Sequence, residues 1–201
     1  MNYSKYQKSR DLSWEVLINN NISELPVKVS SICSHMNIKV ISYSAGKSLV
    51  DRLNMQRLIK SSDGFTYGGA IFYNDGCSVA RQRFTVAHEL GHILLHGGHG
   101  VYNREPCEND NPIEQEANVF ASRLLAPACV LWGLGIANAQ QISNFCNISR
   151  QSADFRMKRM RELYNRESDF LKKYKKSCFL TSPLEQAVYS QFFDYIASHK
   201  L

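Results

Sequence analysis

The 201-residue sequence predicts an α+β fold, with a small sheet set against a buried helix and a helical C-terminal extension behind it. Three observations predict this. Short apolar runs between residues 38 and 77 are punctuated by Asp-Gly and Gly-Gly pairs, the pattern of strands and turns. Two segments, about 81–96 and 112–126, carry apolar residues over helical lengths. Beyond Pro127 the apolar spacing is helical to the end of the chain.

Residues 10–20, "RDLSWEVLINN", read as a first helix. Pro26 stands where a helix would start, and Val27, Val29 and Ile32 supply its apolar positions. "IKVISY" then alternates like a strand. "LVDRLNMQRLI" is helical or irregular. Turn signals follow at Asp63-Gly64, Gly68-Gly69 and Asp75-Gly76, with the short strand "AIFY", Ala70–Tyr73, between the last two. The helix of about 81–96 ends at "GGHG", and a polar loop leads to Asn111-Pro112. That pair reads as an N-cap followed by proline at the first helical position. The helix "PIEQEANVFASRLL" halts at Pro127. "PACVLWGLG", "AQQISNFC" and "RQSADFRMKRMRELYNRESDF" are helical. "SPLEQAVYSQFFDYIASHK" reads as one amphipathic helix opened by a capping box of Ser182 and Glu185.

With 44% hydrophobic and 21% charged residues, the composition is that of a globular protein rather than a disordered or fibrous one. No apolar run approaches a membrane span. The opening "MNYSKYQKSRDLSWEVL" lacks the apolar centre and cleavage site of a signal peptide, so the expected location is cytoplasmic. The six cysteines contain no C-x-x-C pair, which excludes a zinc ribbon and a compact disulfide framework. They read as free thiols packed as small apolar residues.

"TVAHELGHILLH", residues 85–96, carries the chemistry. His88 and His92 lie one helical turn apart and share a face. Two imidazoles at that spacing can bind one Zn²⁺, and Glu89, beside the first, reaches the activated water without ligating the metal. Glu89 is then the general base. The flanking residues are apolar on nearly every side, so the helix is buried, and buried histidines need partners.

A third ligand must come from elsewhere. The metzincin position, six residues after His92, is Gly98, which excludes that form. His96 lies a further turn along, too far for three ligands on one straight helix to meet at one ion. His99, after the helix stop, stays open. The stronger candidate is a carboxylate of the next helix, as in His₂Glu sites. Glu114 and Glu116 are about 200° apart on a helix, so one of them faces the metal. Glu114 shares its face with Asn118 and with the small Ala117 and Ala121, which favours it. Asn118 could then hold a ligating imidazole in place. Glu116 is expected to face solvent, and a capping role for Glu114, three residues after Asn111, is the competing reading.

"RFTVAHELGHILLH", an acidic loop, and then "E-x-E-A-N-x-F-A-x-x-L-L-x-P" resemble the ImmA/IrrE family of metallopeptidases, as does the lead-in "SDGFTYGGAIFYND". The resemblance spans roughly residues 25–165. One departure is "LLAP", where the family more often has methionine before the proline. The resemblance implies a zincin-like metallopeptidase core, with His88, His92 and Glu114 as zinc ligands and Glu89 as general base. It also implies a cytoplasmic peptidase of phages and mobile elements that cleaves a partner helix-turn-helix transcription repressor. The expected domains are a peptidase domain over 1–130, a helix-turn-helix-like subdomain over 131–165 and a C-terminal helical extension over 166–201.

Within that frame, "AIFY" is an edge strand open to an extended substrate backbone, and Tyr67, His99 and Tyr102 are candidates to stabilise an oxyanion. Residues 156–176 hold nine Lys or Arg against three Asp or Glu, which accounts for the whole net charge of +6. Two other classes of function stay open at the level of sequence. One is a zinc-containing regulatory module that binds a repressor without cutting it. The other is a DNA-binding regulator that uses the helix-turn-helix outline of 139–164, with Arg150, Gln151 and Ser152 heading its second helix. In that reading Lys172, Lys173, Lys175 and Lys176 would meet phosphate.

Overall fold

The computed structural model describes residues 6–97 and 111–201. The chain divides into two compact units. The first holds Lys28–Ala121 and the residues up to Ser9; the second holds Arg10–Val27 and Ser122–Leu201. Among the described residues the architecture is α+β, with helices predominating over a three-stranded sheet. No described helix is long and apolar enough to cross a membrane.

In chain order the elements begin with α1 (Gln7–Asn19), most of which belongs to the second unit. The first unit continues with α2 (Val29–His35), β1 (Val40–Ser42), α3 (Lys47–Arg52), α4 (Gln56–Ser61), β2 (Gly64–Tyr67), β3 (Ala70–Tyr73) and α5 (Val79–His96). It also holds the start of α6 (Pro112–Leu125). Pro26 does not start a helix: α2 begins at Val29, and the Leu25–Pro26 peptide is cis.

β2 and β3 form a hairpin through Gly68 and Gly69, both with positive φ (57° and 74°). A tight hairpin turn that follows strand twist needs that backbone, and glycine adopts it without strain. Asp63-Gly64 is not a turn; Gly64 opens β2. The strand order is β1-β3-β2, with β1 parallel and β2 antiparallel to β3. "AIFY" is therefore the central strand, not an edge. Its backbone is paired on both sides, and Ile71 and Phe72 are buried on opposite faces. A fully apolar run fits that position better than it fits an exposed edge. Phe72 lies directly across from Phe65 with the rings stacked 4.9 Å apart. Around them pack Tyr43, Val50 and Met55.

The sheet rests on α5, which both β2 and β3 contact. Eight consecutive residues, Thr85–His92, are buried. Burial on every side follows from three neighbours: the sheet, α2, and α6. The approach of α6 depends on Gly91. A Cβ there would stand 3.0 Å from Phe120 Cδ1 and 3.3 Å from Ala117 Cα. Small residues at 91 and 117 thus bring the two helix backbones together. At its start, α6 is capped by Asn111, whose side chain accepts from the Ile113 N–H at 3.0 Å, with Pro112 in the first turn.

The second unit continues with α7 (Ala128–Gly133), α8 (Ala139–Cys146), α9 (Arg150–Tyr174), α10 (Pro183–Gln191) and α11 (Phe193–His199). The boundaries expected at residues 130 and 165 both fall inside this unit. Asn138 and Gln141 form a capping box at α8, Asn147 turns the chain with φ +49°, and Ser149 caps α9. Ile142, Cys146, Ala153, Met157 and Met160 are buried in this pair. The single C-terminal helix read from the sequence is broken at Phe192 into α10 and α11. The break leaves Val188, Phe192 and Ile196 all buried. Ser182 accepts from the Glu185 N–H, but the Glu185 carboxylate takes the Thr181 N–H rather than closing the box on Ser182.

Arg156 departs from the solvated face that the charge pattern suggests. It is 2% exposed, and its Nε donates to the Ala126 carbonyl at 2.8 Å. Burial, with Arg123 adding to it, pushes its pKa well below the ordinary arginine value. Most residues of α9 beyond it, Lys172 and Lys173 included, are exposed, as are Lys175 and Lys176 that follow the helix. The five described cysteines are free. Burial raises the thiol pKa of Cys33 to about 11 and that of Cys129 to about 12.

Candidate metal centre

The candidate centre lies wholly in the first unit. α5 presents His88 and His92 from one face, and the first turn of α6 presents Glu114 to both. His88 Nε2 and His92 Nε2 are 3.0 Å apart. Glu114 Oε2 is 3.2 Å from His88 Nε2, and Oε1 is 3.2 Å from His92 Nε2. These residues form a His-His-Glu cluster with one ligand atom from each within a 4.8 Å span, which could hold a metal ion.

The separations test the fit. Zinc bonds of 2.0–2.1 Å in tetrahedral geometry put neighbouring ligand atoms about 3.3 Å apart. The observed 3.0–3.2 Å matches that edge length. The donor types, two imidazole nitrogens and a carboxylate, suit zinc.

Each side chain is held by identifiable neighbours. Asn118, one turn beyond Glu114 on α6, places its Oδ1 3.0 Å from His88 Nδ1. With zinc bound and Asn118 as acceptor, Nδ1 would carry the proton and the Nε2 lone pair would face the ion. His88 and His92 are 6% and 2% exposed. Hydrogen bonds from the two imidazoles hold the Glu114 carboxyl far below its usual pKa, against the partial burial that would raise it. A negatively charged third donor is thus favoured. Asn111 caps α6 with its own side chain, while both carboxylate oxygens of Glu114 are turned to the imidazoles.

Glu89, on α5 beside His88 in sequence, is 2% exposed. Thr66 of β2, itself buried, donates to Glu89 Oε2 at 2.9 Å. Sequence reasoning missed Thr66. The alternation in "GFTY" puts Gly64 and Thr66 on one face, but nothing in the pattern says that this face meets α5.

Other expected residues fall elsewhere. Glu116 does not simply face solvent: its carboxylate lies 3.7 Å from His96 Nε2, one turn beyond His92. Burial lowers the His96 pKa. Tyr67 is 41% exposed at the hairpin end and is not part of the cleft described next. His99 and Tyr102 lie outside the described residues.

A cleft of about 220 Å³ opens beside the cluster, bounded by His88, Glu114 and Asn118. It is also lined by Phe84, Thr85 and the ion pair between Arg81 and Asp63, 2.6 Å long.

Residues 33–158, well over half of the chain, match the family model of the IrrE N-terminal-like domain, a peptidase family. The match runs from α2 into α9 and includes every residue of the cluster. No curated protein matches the chain.

Proposed function

Because the chain belongs to the ImmA/IrrE family of metallopeptidases, we propose that it is a zinc-dependent endopeptidase with a zincin-like core. Its substrate would be one specific cytoplasmic protein, a helix-turn-helix transcription repressor. The observation that carries the proposal is the convergence of His88, His92 and Glu114 beside the buried Glu89.

The residues divide the work as follows. His88, His92 and Glu114 would hold zinc, which when bound supplies Lewis-acid activation of water and of the scissile carbonyl. Glu89 accepts the proton of the attacking water and returns it to the leaving amine. Asn118 fixes the His88 tautomer and orientation. The cleft at Phe84 and Arg81 receives the substrate side chain next to the scissile bond. With β3 inside the sheet, β2 is the edge strand beside the cleft, and an extended substrate backbone would pair there. The choice of a repressor follows from the family resemblance.

The test is to incubate the zinc-loaded protein with a lysate of its own host and map new N-termini by mass spectrometry, wild type beside Glu89→Gln. New termini with wild type only are expected, and they name the substrate. Identical termini from both proteins, with zinc bound in both, would sink the proposal in favour of a binding module that does not cut.

A further inference from the structure

We propose that Thr66 is the positioning residue of Glu89, with β2 holding the head of that side chain and running beside its stem. This rests on the reading of Glu89 as the base. Two separate contacts carry it. At the head, Thr66 Oγ1 is 2.9 Å from Glu89 Oε2, with both residues at most 3% exposed. The hydroxyl donates and the carboxylate oxygen accepts. At the stem, Gly64 lies one step back on the same face of β2. A Cβ on it would be 3.5 Å from Glu89 Cγ and 2.3 Å from the Thr85 methyl. The space that a side chain at 64 would need is thus taken mainly by the Thr85 methyl, with the Glu89 stem at its margin.

The physical need is specific. The last torsion of a glutamate is soft and roughly two-fold. Burial of the stem fixes where the carboxylate is but not the plane in which it lies. A donor aimed at one oxygen, as Thr66 is, restrains that plane. Threonine suits the task because its branched Cβ restricts χ1, and its strand is pinned by the Gly68-Gly69 turn and by pairing to β3. Correct orientation of a proton-accepting group contributes substantially to rate. A hydroxyl that merely satisfied a buried carboxylate would contribute to stability and metal retention, not to turnover alone.

The experiment compares wild type, Thr66→Val and Thr66→Ser, all zinc-loaded. Valine keeps the shape and removes the donor; serine keeps the donor and loses the methyl. Two readouts are used. The first is calorimetric binding of acetohydroxamic acid, which chelates zinc and donates a hydrogen bond to the base carboxylate. The second is turnover of the substrate found by N-terminus mapping. Thr66→Val is expected to lower hydroxamate affinity and kcat by about 10–100-fold, with KM and zinc stoichiometry unchanged, and Thr66→Ser to restore most of both. Wild-type hydroxamate binding and kcat in Thr66→Val would overturn the proposal. So would equal losses in both variants accompanied by loss of zinc, which is the signature of a structural role. If Glu89→Gln gives the same N-termini as wild type, the peptidase reading fails, and the hydroxamate comparison still decides whether Thr66 orients Glu89.

Discussion

His88, Glu89 and His92 in the first unit and Arg156 in the second are all at most 6% exposed. Both regions take charged or polar groups out of water, which is costly unless partners are supplied. In the first unit those groups face one another. The Nε2 atoms of His88 and His92 are 3.0 Å apart, and each lies 3.2 Å from one carboxylate oxygen of Glu114. In the second, Arg156 gives Nε to the Ala126 carbonyl, and its Nη2 has no hydrogen-bond partner among the described residues. Its charged neighbour is another cation, Arg123. Burial alone thus does not mark a site. What marks the first unit is convergence of lone pairs from two helices, and what marks the second is a cation tying off the end of α6 at Ala126.

The sharpest way to break this comparison is Glu114→Ala. It removes one of the three converging ligands and should reduce zinc affinity by more than the about 10–100-fold typical of outer hydrogen-bond partners. Competition with a chromophoric chelator measures it, with Glu116→Ala as the control. Unchanged affinity in Glu114→Ala, or a larger loss in Glu116→Ala, would reverse the assignment.

Asn118→Ala comes next. It frees the His88 ring without touching the ligand atoms, so zinc affinity should fall by about 10–100-fold while the fold is kept. An affinity equal to wild type would show that Asn118 does not hold the imidazole.

Gly91→Val tests whether convergence depends on helix approach. The added carbons meet Phe120 and Ala117, and overpacking of this kind costs about 1–3 kcal/mol. Urea unfolding of the metal-free protein should show the loss, and zinc affinity should weaken with it. A stability equal to wild type would mean that the two helices have room to spare.

Arg156→Met is expected to do least. Replacing buried ion pairs by apolar side chains is often neutral or stabilises by about 1–4 kcal/mol, and an unpaired buried cation likewise recovers its desolvation cost when removed. Leaving the Ala126 carbonyl without its donor costs about 1–3 kcal/mol. The two offset each other, so the unfolding midpoint should barely move. A collapse of stability would show that Arg156 has a binding partner at Nη2 that matters more than the contrast allows.

How much of this was legible beforehand differs residue by residue. His88, Glu89 and His92 are a local pattern, and local patterns survive folding because helix geometry alone brings the residues together. Glu114 was reachable by a face argument, since 114 and 118 are one turn apart and 116 points elsewhere. Thr66 was not reachable, because its bond to Glu89 crosses from strand to helix. The place of β3 inside the sheet was misread for a related reason: strand order is a long-range property, and a four-residue apolar run suits either position. Arg156 was hidden in a basic stretch whose composition describes α9 as a whole, whereas burial is decided turn by turn. The break at Phe192 left no proline or glycine to announce it.

His92 and Glu114 have one further consequence through their positions along the chain. They bound a stretch on the order of twenty residues, and an ion shared between them would fasten that stretch into a closed ring. In the chain-entropy account, a covalent ring of this size stabilises by roughly 3 kcal/mol relative to the open chain. The centre would then serve as a removable cross-link as well as a reagent, and the melting temperature of the protein would itself report whether the ring is shut.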